Sequence, residues 1–497
     1  MKIIRRNEEI IMNKQTVRTR FAPSPTGFMH IGNLRTALYE YLVAKSQGGD
    51  FVLRIEDTDQ QRYVEGAVEV IYKTLQTAGL VHDEGPDKPK EYGPYVQSQR
   101  LAMYKPYAEQ LIKEGKAYRC FCTKERLDSL KEDTPGGGYD RHCRDLPQEE
   151  IDRLLAEGVP YVIRQKMPLE GKTTFIDTVF GEITVDNSEL QDQILIKTDG
   201  YPTYNFANVI DDHTMNITHV VRGSEYLSST PKYNLLYEAF GWEIPTYIHL
   251  PLIMGKDADG NIAKLSKRHG STGFEDLVNE GYLPQAIINY VALLGWCPED
   301  NQEIFTLDEL VKAFKISGIS KSPSIFDYDK LEWFNAEYIR RMSDEEFTKY
   351  AMPFYQQSMK DKNFDWSKIT AILHQRVTKF NQIPEMTDFF NQLPEYDKEM
   401  FVNKKSKTNL DNAPKMLQIA TEKLTALDSW TKDTIHDCLI NLAVELGVKN
   451  GTVMWPVRIA VAGKKVTPGG AVEILDILGR EESLKRLAKG LVIMRNA

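Results

Sequence analysis

Two stretches of the sequence hold side chains whose types and order could handle a nucleotide. The first is RFAPSPTGFMHIGN, residues 20–33. Prolines and Gly27 tighten a loop there, and His30 follows at the start of a helix-like run. A helix N-terminus offers unpaired N–H groups and partial positive charge, both suited to a nucleotide phosphate. Gly32 leaves room above that helix for a base or ribose. Taken singly, the stretch also reads as a helix start with a capping histidine, because one short motif is weak. The second stretch is AKLSKRHG, residues 263–270. Lys264, Lys267 and Arg268 could close over a triphosphate and neutralise charge that builds on it in a transition state. Alone, it reads more simply as a solvated basic loop. Both motifs in one chain, in this order, are hard to explain by chance. A third group is Cys120, Cys122 and Cys143, with Tyr139, His142 and Asp145 close by. Three soft ligands in a short segment suit tetrahedral zinc. The alternative is three free thiols in a domain that folds without metal.

These residues need a frame. Residues 17–21 (VRTRF) read as a short strand. After the loop, Ile31, Leu34, Leu38, Tyr41 and Leu42 fall at helical spacing, and Gly48-Gly49 ends the helix. FVLRI (51–55) is an apolar run suited to a buried parallel strand, and it ends on Glu56. Val68, Ile71, Tyr72 and Leu75 form the next helical face. This is the βαβα texture of a doubly wound parallel sheet, where ligands bind at the carboxyl ends of the strands. Residues 20–24 and Glu56 fall at those ends.

The expected organisation is α/β: a doubly wound parallel-sheet catalytic domain interrupted by an inserted α+β domain and followed by an all-helical C-terminal region. The boundaries are an N-terminal extension at 1–15, a first catalytic half at 16–98 and an insertion at 99–200. A second catalytic half at 201–255, a KLSKR-loop region at 256–340 and a helical region at 341–497 complete the chain. The extension carries a second possible start at Met12.

The chain has 497 residues, too many for one core, and its 41% apolar and 27% charged residues are ordinary for a globular protein. No run reaches the roughly 18 apolar residues of a membrane span, and no signal peptide is evident. Five cysteines without an export signal point to a reducing, cytoplasmic setting rather than a disulfide framework. A net charge of −9 argues mildly against a nucleic-acid partner, although local basic tracks are compatible with an acidic whole.

HIGN (30–33) is a variant of the HIGH signature, with Asn33 in the fourth position, and KLSKR (264–268) a variant of KMSKS. Both mark class I aminoacyl-tRNA synthetases. FAPSPTG, RIEDTD, GYPTYNFANVIDDH and SPSIFDYDKLEWFNAEYIR resemble the bacterial glutamyl-tRNA synthetase family. The related glutaminyl enzymes word the first of these loops differently. The resemblance runs from about residue 17 to PGGAVEILDILGREESLKRL and so covers nearly the whole chain.

The resemblance implies ATP with Mg²⁺, L-glutamate and a glutamate tRNA as ligands, with a glutamine tRNA as an open second substrate. It implies a monomer. His30 and Lys267 would be catalytic, and His30, Gly32, Glu225, Lys264, Ser266, Lys267 and Arg268 would hold ATP. A glutamate substrate needs two cationic forks and one anion. Arg20 would take the side-chain carboxylate, Arg222 the α-carboxylate and Glu56 the α-ammonium. Ala22, Ser24, Tyr204 and Asn208 would complete the pocket. The cysteines would hold one structural Zn²⁺ in an insertion that grips the tRNA acceptor end. The fourth ligand is open between Tyr139, as in short relatives, and Asp145, where some relatives place a histidine. Arg376 is the candidate anticodon contact. A short relative that modifies a tRNA base lacks the C-terminal region present here. An inactive tRNA-binding protein would have lost His30 or the lysines. A small nucleotidyltransferase of the same superfamily would not need the insertion or the helical tail.

Overall fold

The computed structural model describes residues 16–59, 64–133, 139–257, 259–360 and 364–495, with the backbone alone at 131–133 and Lys267. The N-terminal extension at 1–15 lies outside the described residues. The chain divides into two compact units. One runs to Leu277 and resumes over Ile287–Asp327; the other comprises Val278–Ala286 and the chain from Tyr328 onward.

In the first unit, β1 (Arg18–Phe21) is buried at every residue. The chain then crosses through α1 (Ile31–Lys45) to β2 (Asp50–Leu53), which pairs with β1 in parallel, Arg18 opposite Asp50 and Phe21 opposite Leu53. Parallel neighbours need such a crossover. Ile31, Leu34, Leu38 and Leu42 are buried as the spacing anticipates, but so are Arg35, Tyr39 and Glu40, so α1 is covered on more than one face. A turn with Gly48 at φ +68° ends it. Next comes α2 (Ala67–Thr77).

Further along lie α3 (Leu101–Lys113), β3 (Ala117–Cys120), α4 (Lys124–Asp133), α5 (Gln148–Ala156), β4 (Val162–Gln165), β5 (Lys172–Asp177), β6 (Gly181–Asp186) and β7 (Ile194–Ile196). They are followed by α6 (Tyr204–Thr214), β8 (His219–Gly223), α7 (Thr230–Phe240) and β9 (Thr246–Leu250). Strands β3, β4 and β7 form a small antiparallel sheet in the order β3-β4-β7.

The β5–β6 hairpin, which lies within the 99–200 range expected for the insertion, does something else. It joins a four-stranded sheet in the order β6-β5-β9-β8, with β8 and β9 parallel and Asp177 opposite Tyr247. Strand β5 buries Thr173, Phe175 and Asp177 in alternation. Alternation shows that one face is covered but not which sheet covers it. The sheet is therefore mixed, with an antiparallel outer strand. Next to β8, the Thr218 N–H donates to the Arg18 carbonyl at 3.0 Å, which sets β8 beside β1.

A third sheet, in the order β11-β10-β12, contains β10 (Ile253–Lys256), β11 (Ile262–Lys264) and the two-residue β12 (Ser324–Ile325). Between β11 and β12 lie α8 (Phe274–Asn279), α9 (Pro284–Ala292) and α10 (Leu307–Ala313).

The second unit is built on α11 (Tyr328–Arg340), α12 (Asp344–Ser358), α13 (Trp366–Leu373) and α14 (Ile383–Asn391). It continues with α15 (Ala413–Thr425), α16 (Lys432–Glu445), α17 (Asn450–Ala462) and α18 (Ala471–Arg495). Its core includes Phe347, Phe389, Leu417, Leu439, Val457 and Leu487. Arg486, buried on α18, donates to the carbonyls of Phe389, Phe390 and Val461. These C-terminal carbonyls of α14 and α17 lack intrahelical partners, so one side chain satisfies them. No described helix is long and apolar enough to cross a membrane.

Asp211 ties α3 and the turn before it to α6. It is fully buried and accepts Arg100 Nε at 2.7 Å, Gln97 Nε2 at 2.9 Å and the Tyr104 hydroxyl at 3.0 Å. Asp211→Ala leaves the buried Arg100 cation without its carboxylate, which should cost about 3 kcal/mol. Urea unfolding of wild type and variant measures this; a loss below about 1 kcal/mol, the scale of a surface change, contradicts the anchoring role.

Candidate active site

The carboxyl ends of β1, β2 and β8 and the N-terminus of α1 surround a cavity of about 640 Å³. Two backbone hydrogen bonds bring the 263–270 stretch to it. Ile31 N–H donates to the Thr272 carbonyl at 2.9 Å, and Phe274 N–H donates to Met29 at 3.1 Å. The two motifs thus share one wall. Arg20, Ala22, Ser24, His30, Gly32, Glu56, Tyr204, Arg222, Glu225, Lys264 and Ser266 all line the cavity. Ser24, Glu56, Tyr204 and Tyr226 also line a neighbouring cavity of about 750 Å³ that extends along Thr58, Gln97 and Lys197.

The two arginines are both buried, yet they are supported differently. Arg20 donates through Nε to Asp212 at 2.9 Å and through Nη1 to Glu40 at 3.2 Å. Asp212 also accepts Arg54 Nη1 at 2.7 Å. Burial pushes the Asp212 carboxyl up, but Arg20 and Arg54 outweigh it and hold it below the usual carboxylate range. Arg222 donates through Nε to His249 at 3.1 Å and through Nη2 to Thr230 at 2.8 Å. Its guanidinium lies 4.6 Å from the Tyr233 ring centroid. The His249 Nδ1 faces Asp177 at 2.7 Å. Burial pushes the imidazole down despite that carboxylate, so a neutral ring donates from Nδ1 to Asp177 and accepts Arg222 at Nε2. Among the described residues, Arg20 Nη2 and Arg222 Nη1 have no hydrogen-bond partner.

Glu56 shares this environment. Its Oε1 accepts Arg54 Nε and Nη2 at 3.2 and 3.1 Å. Burial raises its carboxyl to about 7, against the opposing pull of Arg54 and Arg20. At the other end of the cavity, His30 caps α1: its Nδ1 accepts the Gly32 N–H at 3.1 Å, which places the proton of a neutral ring on Nε2. Glu225 folds back over Gly223, where a Cβ would stand 2.0 Å from its Oε2, and Lys264 reaches within 3.6 Å of it. His269 folds the basic loop by bonding the Ser266 N–H at 3.1 Å, and it packs on Gly255, where a Cβ would meet the ring at 2.5 Å.

Two residues expected at the cavity, Asn208 and Arg268, are not among those that line it. Asn208 is buried one turn along α6 from Tyr204; among the described residues its Nδ2 has no hydrogen-bond partner. Arg268 is exposed and does not line the cavity. The Lys267 side chain lies outside the described residues. Arg376 is in the second unit, on a separate cavity of about 390 Å³ with Lys368, Lys432 and Glu473.

The cysteines do converge. The sulfurs of Cys120, Cys122 and Cys143 all lie within 4.8 Å of one another, with Cys122 and Cys143 at 3.5 Å. The Tyr139 hydroxyl stands 3.3 Å from Cys120 Sγ and accepts the Cys143 N–H at 3.0 Å. Asp145 instead pairs with Lys166 at 2.8 Å and is largely exposed. The donor set fits one tetrahedral soft cation, and Tyr139 is the oxygen within the cluster.

Sequence reasoning missed Glu40, Arg54 and Asp212 below Arg20, and Asp177, Thr230 and His249 behind Arg222. Adjacent acids in NVIDDH and the Arg-x-Glu of RIED were visible signals, but their partners are 158 and 192 residues away.

Residues 16–333 match the catalytic domain of the class I tRNA synthetases for glutamate and glutamine, and residues 346–491 match an anticodon-binding domain. The glutamate–tRNA ligase of Clostridium kluyveri is 59% identical over 479 residues, 96% of this chain and 97% of that one. Its counterpart from Clostridium tetani is 57% identical over 489 residues, 98% and 99% of the two chains. Among solved structures, a glutamate tRNA ligase from Elizabethkingia meningosepticum in complex with its amino acid is similar at 38% identity and TM-score 0.88, covering 96% of this chain and all of that one. Likeness over essentially full length, in sequence and in fold, places this chain in the glutamate–tRNA ligase family of class I aminoacyl-tRNA synthetases.

Proposed function

We propose that the cavity forms glutamyl-adenylate from L-glutamate and ATP and passes the glutamyl group to tRNA. The observation that carries this is the pair of buried guanidiniums, each with one nitrogen unengaged by described residues, opposite a buried carboxylate. That set matches two carboxylates and one ammonium. In the first step the α-carboxylate attacks the α-phosphate of ATP and pyrophosphate leaves. In the second, the 2′-hydroxyl of the tRNA's terminal adenosine attacks the glutamyl carbonyl and AMP leaves. No protein nucleophile is needed; positioning and charge stabilisation carry the rate. His30 at the start of α1, with Lys264 and Ser266, holds the phosphates, and Glu225 approaches the ribose. Lys267 is assigned to the transferring phosphate. Mg²⁺ would supply charge neutralisation on the triphosphate. The second unit, with Arg376 as the candidate contact, would read unpaired anticodon bases. We assign the enzyme as a cytoplasmic monomer.

Arg20 takes the side-chain carboxylate in this assignment, and Arg222 the α-carboxylate. One observation favours the exchanged pairing: among the described residues Arg222 has only neutral hydrogen-bond partners, whereas Arg20 already holds Asp212. A desolvated cation without a counter-ion rejects a neutral amide most strongly. Activation and charging assays with radiolabelled glutamate or glutamine, using glutamate and glutamine tRNAs separately, decide between them. The residue that contacts the side-chain carboxylate should, when changed to alanine, narrow the glutamate-over-glutamine ratio of kcat/KM by about a hundredfold or more. The other should weaken both amino acids alike. An unchanged ratio in both Arg20→Ala and Arg222→Ala removes both assignments.

If Glu56 receives the α-ammonium, it must be ionised to bind. Its carboxyl at about 7 then puts an acid limb on kcat/KM for glutamate, falling about tenfold per pH unit below that value. Glutamine should show the same limb. A profile flat from pH 5 to pH 8 contradicts the role.

We also propose one structural zinc per chain, held by Cys120, Cys122, Cys143 and Tyr139. Protein purified without chelator should contain one equivalent by metal analysis, and Cys143→Ser should lose it and melt at lower temperature. Folded, metal-free wild type eliminates the site.

A further inference from the structure

Glu40 stands on α1 with 1% of its surface exposed and lines the cavity beside Arg20. Its Oε1 accepts Arg20 Nη1 at 3.2 Å, and among the described residues its buried Oε2 has no hydrogen-bond partner. A carboxylate anion with a naked buried oxygen is strongly unfavourable. The same guanidinium is already held at 2.9 Å by Asp212. Two acids on one cation favour a proton on one of them. Asp212 is the ionised member, since Arg20 and Arg54 both donate to it. Glu40 has the single, longer bond. Burial pushes its carboxyl well up; Arg20 and Arg54 oppose that, and Asp212 reinforces it.

We propose that Glu40 is a positioning residue for selection of the acidic substrate: as a neutral acid it orients the Arg20 guanidinium through Nη1 without cancelling its charge. The inference rests on Arg20 taking the side-chain carboxylate. Once Glu56 is ionised, as binding of the α-ammonium requires, the guanidiniums of Arg20 and Arg54 in the hydrogen-bonded cluster balance the carboxylates of Asp212 and Glu56. With Glu40 neutral, the cluster carries no net charge. With Glu40 ionised, it would carry one negative charge and repel glutamate, itself singly negative, more than glutamine, which is neutral overall. Neutral Glu40 therefore lets this end of the cavity accept an acid.

Glu40→Gln and Glu40→Leu separate the possibilities. A glutamine amide has the acceptor and donor of a neutral carboxyl, whereas leucine has neither. The measurement is the ratio of kcat/KM for glutamate over glutamine in activation, with tRNA present. Glu40→Gln should keep the ratio within about threefold of wild type, and Glu40→Leu should lower it about tenfold, through the KM for glutamate more than through kcat. A shift of about tenfold in either direction for Glu40→Gln overturns the proposal, an increase because it would mean that wild-type Glu40 is charged. A wild-type ratio in folded Glu40→Leu overturns it too. Arg20→Ala is run alongside. If its ratio is intact, the Arg20 assignment fails and Glu40 falls with it. If its ratio collapses while that of Glu40→Leu stands, Glu40 alone fails. Should Glu40→Leu not fold, Glu40→Gln decides.

Discussion

The buried end of the cavity, to which we assign the amino acid, depends on one carboxylate oxygen. Asp212 Oδ1 accepts Arg20, from β1, at 2.9 Å and Arg54, from the residue after β2, at 2.7 Å. Both guanidiniums are buried and neither can give up its proton to escape the cost of desolvation. Without the acid between them, two cations would repel one another where the ends of the two strands converge. With it, repulsion becomes a three-way clamp that fixes α6 against both strands. The clamp also explains why a strand as short as β1 can bury two arginines: Arg18 is compensated in parallel fashion by Asp50 and Glu84.

Arg222 is held by a different principle. The acid behind it, Asp177, never touches it; the neutral His249 ring stands between. Asp177 is itself saturated by the backbone N–H groups of Val179, Phe180 and His249. Orientation is therefore transmitted through hydrogen bonds while the arginine's positive charge remains largely uncompensated. The β5–β6 hairpin, far from being an ornament of the insertion, supplies the base of this relay. The two arginines are thus tuned apart: one shares an anion, the other rests on neutral donors and acceptors and on the faces of tyrosine rings.

Much of this could be read before any coordinates. The strand, tight loop and helix of residues 17–45 announce themselves by local pattern, as do FVLRI and the basic loop, and three cysteines at short spacing signal a soft-metal site. Local pattern could not say what lies under Arg20 or Arg222, because Asp212, His249 and Asp177 come from elements far along the chain and acquire meaning only once the sheet order is known. The same limit applies to the β5–β6 hairpin. An alternating strand declares a covered face but not its partner, and Asp177 gains its role only with β9 beside it. Glu40 was masked for a related reason: on a helix that shows an apolar stripe, a lone glutamate reads as the solvent side. Here α1 is buried nearly all round.

The more open end, to which we assign the nucleotide, follows the opposite logic to the clamp. Lys264 and Glu225 approach only to 3.6 Å and both are substantially exposed, the kind of pair that contributes about 1 kcal/mol or less. Either partner can be exchanged for a phosphate or a ribose hydroxyl at small cost. The loop that carries Lys264 is nevertheless tied at both ends. Leu265 N–H donates to Ile253 at 3.0 Å, and Thr272 accepts Ile31 from the first turn of α1. The charges that we assign to a highly charged, departing group are thus weakly paired, while the backbone that carries them is firmly fixed. Discrimination between an acid and an amide needs strong, desolvated electrostatics, which the buried end supplies. Stabilising charge that builds and then leaves needs groups that can be exchanged, and these are found where the solvent can reach.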